Sequence, residues 1–194
     1  MFNILPVRAE EKYTKAPIDI TEATIDNINE AFEKGYLTSE LLVTLYLERI
    51  EAYDKNHNAI IAINNDAIST AKKLDEERLK SGPRSVLHGI PVIIKDNYDF
   101  TGLPTTAGAR ALEASYPDKN SFAVQQLIDA GAIILAKSNM STFAFSAASS
   151  ISSFGETKNA YNSLYSSYGS SGGTAVAIAG NFATVGLGTD TNSS

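Results

Sequence analysis

Amphipathic helical segments alternating with short, β-branched apolar runs predict an α/β protein with a mixed sheet core flanked by helices and an N-terminal helical lobe. Two observations carry this. Apolar residues recur at one-face helical spacing from Thr21 to about residue 80. Beyond Gly82-Pro83, three apolar runs (Ile90 to Ile94, Ala132 to Ala136 and Ala183 to Leu187) read as core strands separated by helical stretches. The early helices are expected to flank the sheet as a lobe of the same domain.

Taken in order, residues 1–18 are polar and aperiodic and read as an extended arm. Ile25, Ile28 and Phe32 share one helix face, and Gly35 supplies a left-handed stop. Thr38 caps a second helix, with Glu40 in its first turn and a stripe of Leu42, Leu45, Tyr46, Ile50 and Tyr53. Ala59 to Ile63 reads as a short strand. Asp66 opens a third helix through Ala67, Ala71 and Leu74, ending before Gly82-Pro83. Ser121 caps a helix from Phe122 to Ala130, which Gly131 terminates. Met140 to Phe145 is expected to form a short helix, and Gly172 to Gly180 a tightly packed one. Ser146 to Ser171 has the composition of a flexible linker. We read it as ordered, because its C-terminal end carries the candidate chemistry.

The bulk numbers exclude several function classes. At 194 residues, with 43% hydrophobic and 20% charged side chains, the chain can bury one substantial core. A net charge of −6 opposes a nucleic-acid-binding surface. Cysteine is absent, which removes disulfides, thiol nucleophiles and thiolate metal sites. His57 and His88 are the only histidines, too few for a histidine-rich metal site. No metal or organic cofactor is implied. No signal peptide or membrane span is legible, so no membrane partner is expected and the default location is the cytoplasm, with an upstream leader left open.

Hydrolysis by a serine requires a base for the hydroxyl proton and donors for an oxyanion. With histidine scarce, lysine is the available base, and it must be held neutral by burial or by neighbouring positive charge. Lys95 follows Pro91-Val92-Ile93-Ile94 and stands at the end of an expected buried strand. On spacing alone it is either a desolvated amine or a solvated strand-end charge. Gly169-Ser170-Ser171-Gly172-Gly173 is either a flexible loop or a turn whose amides line a concavity. It lacks the lysine that a phosphate-binding loop requires.

These segments, with Leu87-His88-Gly89-Ile90-Pro91, Lys95-Asp96-Asn97, Pro104-Thr105-Thr106-Ala107-Gly108, Gly131-Ala132, Lys137-Ser138-Asn139-Met140 and Gly188 to Thr191, resemble the amidase signature family in order and spacing from Gly89 to Ser194. The resemblance implies a Ser-Ser-Lys triad. Lys95 would be the base. Ser170 would be the bridging serine, joined to Gly169 by a cis peptide, and Ser194 the nucleophile. Backbone amides of Thr191, Asn192, Ser193 and Ser194 would form the oxyanion hole. Ser171 and Asp190 would stand behind them, Ser171 bonding Lys95 or the loop and Asp190 accepting hydrogen bonds near the nucleophile. His88 is expected to be a loop residue without a catalytic task, and Lys137 a solvated charge.

The family usually carries two glycines where this chain has Asn192 and Ser193, and many members carry an acidic residue where it has Thr142. Asn tolerates the left-handed backbone region better than Ser does. Family members are also much longer. The resemblance therefore implies that residues 1–194 are the N-terminal part of a single domain, with 1–80 as the helical lobe, 81–194 as an α/β core segment, and the C-terminal half of the family fold missing. A carboxylate on Ser194 would oppose an oxyanion, so this stretch alone is expected to be inactive.

The implied activity is hydrolysis of a carbon–nitrogen amide bond in a small-molecule substrate. One alternative is the glutaminase component of a tRNA-dependent amidotransferase, although the long arm before Thr21 favours a stand-alone amidase. Another is an inactive truncated or split fragment, whose partner would be the missing C-terminal half.

Overall fold

The computed structural model describes residues 19–192 and 194. The expected arm at residues 1–18 lies outside the described residues. Helix α1 spans Ile25–Glu33 and α2 spans Ser39–Tyr53. Strand β1 is Ile60–Ile63, α3 is Ala67–Ser81, β2 is Pro91–Lys95, α4 is Phe122–Asp129 and β3 is Ile133–Ser138. A two-stranded ribbon of β4 (Ile151–Ser152) and β5 (Gly155–Glu156) precedes α5 (Gly172–Ala179) and β6 (Val185–Leu187).

The main sheet has the order β1-β3-β2-β6. Strand β2 lies parallel to both β3 and β6, and β1 closes the other edge antiparallel to β3. Every residue of β2 and β3 is buried. Both faces of the central strands are covered, which explains why they read as unbroken apolar runs rather than alternating ones. Their side chains divide by strand alternation. Ile93, Ile133 and Leu135 join Ile28, Phe32, Leu42, Tyr46, Leu74 and Phe182 in the larger core, while Val92, Ile94 and Ile134 meet Val124 beneath α4. The N-terminal helices thus pack on the same apolar cluster as the sheet. Each fully buried aliphatic side chain contributes about 1.5–3 kcal/mol of transfer free energy.

Several helix ends follow their sequence signals. Thr24 and Asn27 form a reciprocal capping box on α1, and the Thr38 hydroxyl accepts from the Leu41 amide on α2. Gly35 stands at φ 69° beyond α1, and Gly131 at φ 90° beyond α4. Others do not. Neither Asp66 nor Ser121 caps its helix through its side chain. Asn64 takes over before α3, where its Oδ1 accepts from the Asp66 amide at 3.0 Å. The expected helix at 140–145 is instead one 3₁₀ turn at Thr142–Ala144, with Phe143 and Ala144 at φ 54° and 56°. Two successive left-handed residues cannot continue a right-handed helix. Strand β2 runs one residue further than Ile94, and that extension brings Lys95 into the sheet.

The serine-rich segment is ordered by close backbone approach. A Cβ on Gly169 would lie 2.4 Å from the carbonyl oxygens of Ser146 and Ser149, and one on Gly173 would lie 2.2 Å from that of Asn139. These glycines serve contact, not flexibility. Among the described residues no helix is long and apolar enough to cross a membrane.

Leu135 is fully buried on β3. Replacing it with Ala is expected to lower stability by about 2–5 kcal/mol through lost transfer energy and a residual cavity, read as a drop in the urea midpoint at unchanged slope.

Candidate active site

Lys95 is the last residue of β2, and its side chain is fully buried. Its Nζ donates to Ser170 Oγ at 2.5 Å and to Thr189 Oγ1 at 2.6 Å. Burial of the amine pushes its pKa down from 10.5 to about 8, against an opposing pull from the Asp190 carboxylate. At pH 7 about one amine in ten is then neutral, compared with fewer than one in a thousand for an ordinary lysine. The desolvated alternative left open at this position is the one the structure shows.

Ser170 is buried, and its peptide bond from Gly169 is cis. The hydroxyl of Ser171 donates to the Thr189 carbonyl at 3.0 Å and accepts from the Thr189 amide at 3.2 Å. Of the two roles considered for Ser171, it takes the loop and not Lys95. Thr189 itself was not singled out in the sequence. A hydroxyl accepting from the amine is a tertiary contact across 94 residues, with no local signature.

Ser194 borders the same cavity, about 480 Å³ in volume, as Gly169, Ser171, Thr189 and Asp190. Its hydroxyl donates to the Ala144 carbonyl. The Thr191 amide donates to the Ser194 carbonyl at 2.8 Å, and the Ser194 amide to the Thr191 carbonyl at 3.2 Å. Asn192 sits at φ 55°, in the left-handed region that Asn tolerates. Ser193 lies outside the described residues. Lys95 and Ser170 are therefore in direct contact, while the Ser194 hydroxyl is bonded to Ala144 and the Thr191 and Ser194 amides to each other's carbonyls. The Thr142 hydroxyl donates to the Gly108 carbonyl at 3.2 Å.

His88 lies in the turn before β2, as expected, whereas Lys137 differs from its expected setting. His88 is fully buried and acts as a structural pin. Its Nδ1 accepts from the Arg84 amide at 3.2 Å, which places the ring hydrogen on Nε2, 2.9 Å from the Leu74 carbonyl. Lys137 is not solvated but fully buried, 3.2 Å from Asp96 Oδ1. A larger cavity, about 640 Å³, lies by Thr24, Tyr46, Ile178 and Val185, and among the described residues no lysine, histidine or serine lines it. Among the described residues no group of three or more His, Cys, Asp or Glu side chains is placed to hold a metal.

The Amidase family model matches residues 41–194, and the chain belongs to that family. It is 38% identical over 178 residues to one of the subunits of glutamyl-tRNA(Gln) amidotransferase from Thermoanaerobacter pseudethanolicus, covering 91% of this chain and 36% of that protein. Native peptide amidase from Stenotrophomonas maltophilia superposes with a TM-score of 0.82 at 38% identity, over 88% of this chain and 36% of that one. An amidase family protein from Bacillus anthracis gives a TM-score of 0.83 at 33% identity, over 97% and 38%. The chain thus spans little more than a third of the length of these relatives.

The Lys95 amine is expected to titrate near pH 8 in lysine-selective ¹⁵N NMR. A midpoint in the ordinary lysine range would show that the amine is hydrated in solution.

Proposed function

We propose that the protein hydrolyses carbon–nitrogen amide bonds through a relay of Ser194, Ser170 and Lys95. The observation that carries this reading is the buried Lys95 amine, lowered to a pKa of about 8 and 2.5 Å from the Ser170 hydroxyl.

In the proposed cycle, Ser194 Oγ attacks the substrate carbonyl carbon as its proton passes to Ser170 Oγ and the Ser170 proton passes to neutral Lys95. Backbone amides of residues 191–194 hold the resulting oxyanion. The C–N bond then breaks. The leaving nitrogen takes a proton from Ser170, which is replenished from the Lys95 ammonium. Water enters by the same relay and releases the acid, so one water is consumed and one amine or ammonia is formed. The step requires the Ser194 hydroxyl to turn from Ala144 towards Ser170. It also requires the Thr191 and Ser194 amides to leave each other's carbonyls. Ser171 supports the cycle by fixing Thr189 beside the amine. Asp190 opposes the lowered pKa and so limits how far it falls. The substrate is a small-molecule amide, and the proposed location is the cytoplasm.

A second reading, the glutaminase component of an amidotransferase, is favoured by the 38% identity to the Thermoanaerobacter protein. Ammonia release from glutamine that depends on partner subunits would select it.

The test is a panel of small amides, glutamine included, assayed with the purified protein in its encoded length. Lys95→Ala and Ser194→Ala are expected to lower kcat roughly a thousandfold or more, and Ser170→Ala to leave a small residue. Because the neutral amine is the active form, kcat/KM should rise with pH through about 8 and level off above it. A near-normal rate for Lys95→Ala at neutral pH would end the relay.

A further inference from the structure

The buried pair of Asp96 and Lys137 has no part in the relay, yet it stands at the foot of the base. Asp96 follows Lys95 directly, and both Asp96 and Lys137 are fully buried. Asp96 Oδ2 accepts from the Thr106 hydroxyl and from the Gly108 amide at 3.2 Å. Oδ1 accepts no hydrogen bond and faces the Lys137 ammonium at 3.2 Å. Lys137 Nζ also donates to the Tyr98 carbonyl at 2.7 Å, to Thr105 Oγ1 at 3.2 Å and to the Pro104 carbonyl at 3.3 Å. An ammonium carries three hydrogens, so these three acceptors match its donor capacity and the carboxylate faces it as a counter-charge.

The turn closed by these contacts carries the far wall of the Lys95 site. The Tyr98 amide donates to the Lys95 carbonyl at 3.0 Å. From the same turn, the Tyr98 hydroxyl donates to the Gly188 carbonyl at 2.9 Å, and Asn97 Nδ2 donates to Thr189 Oγ1 at 3.2 Å. Thr189 Oγ1 is the second acceptor of the Lys95 amine. The pair therefore holds the turn, and the turn holds Thr189 against the base.

The pair and the amine lie on opposite faces of the sheet. Lys137 is in register with Ile94, whereas Lys95 is in register with Ser138. Asp190, on the segment after β6, acts on the Lys95 amine, while Asp96 and Asp99 act on Lys137.

We propose that Asp96 and Lys137 are positioning residues for the base, clamping the 95–98 turn that holds Thr189 against its amine. The inference rests on the reading of Lys95 as the base.

The test is the pH dependence of kcat/KM on the best amide of the panel, using the protein in its encoded length. Lys137→Met leaves the Asp96 carboxylate uncompensated and opens the turn to water. Its acid limb is expected to move up by at least about half a pH unit, with activity recovering at alkaline pH. Asp96→Asn breaks the same clamp, and its limb should also move up. Lys137→Arg keeps the charge and should keep the limb. Damage that is only structural would lower activity evenly across pH, so an unmoved limb in the charge-removing variants overturns the proposal. If Lys137→Met does not fold, the direction of the Asp96→Asn shift decides alone. A wild-type profile with no limb near pH 8 would sink the Lys95 reading itself. A wild-type limb that neither variant displaces would sink only the present inference.

Discussion

Desolvation of one amine is the constraint on which the rest of the candidate site depends. Lys95 ends a strand that is covered on both faces, between two parallel neighbours, so its ammonium has exchanged bulk water for two hydroxyl oxygens. Two neutral acceptors stabilise a cation less than water does, and the pKa falls to about 8. A lysine at the same place on an edge strand would keep its ordinary basicity and would hardly ever be neutral at physiological pH. The central position of β2 and the chemistry of its last residue are one design.

The glycine-rich segment completes that environment from the opposite side. Gly169 and Gly173 allow backbone to approach backbone more closely than any side chain would permit. That approach seats Ser170 on the amine and starts α5 directly beneath the sheet. Ser171 then fastens the Thr189 backbone at two points. The acceptors of Lys95 come from two separate loops, each held by its own contacts. The amine is thereby given a fixed direction as well as a dry setting.

Much of the fold was legible because its signals are local. The Thr24 and Thr38 caps, the left-handed glycines at 35 and 131, and the apolar runs of β2 and β3 each act over a few residues. The failures are equally specific. Asp66 and Ser121 have the right type and place for caps, yet neither side chain makes the bond. The 142–144 turn departs from a helix through two left-handed residues, Phe143 and Ala144, neither of a kind that announces such a backbone. Lys137 reads as a solvated charge because nothing near it in sequence signals that Asp96 and Tyr98 will surround it.

Composition and periodicity by themselves determined an α/β protein without thiol or histidine-rich chemistry, and motif order pointed to Lys95, Ser170 and Ser194. Those features depend on residue type and on neighbours a turn or two away. The tertiary structure alone decided that Lys95 is dry, that Thr189 shares it with Ser170, that Ser194 rests on the Ala144 carbonyl, and that Asp96 and Lys137 face each other in the interior. Burial and hydrogen bonding between residues tens of positions apart set the basicity of an amine, and both exist only once the sheet has brought those residues together.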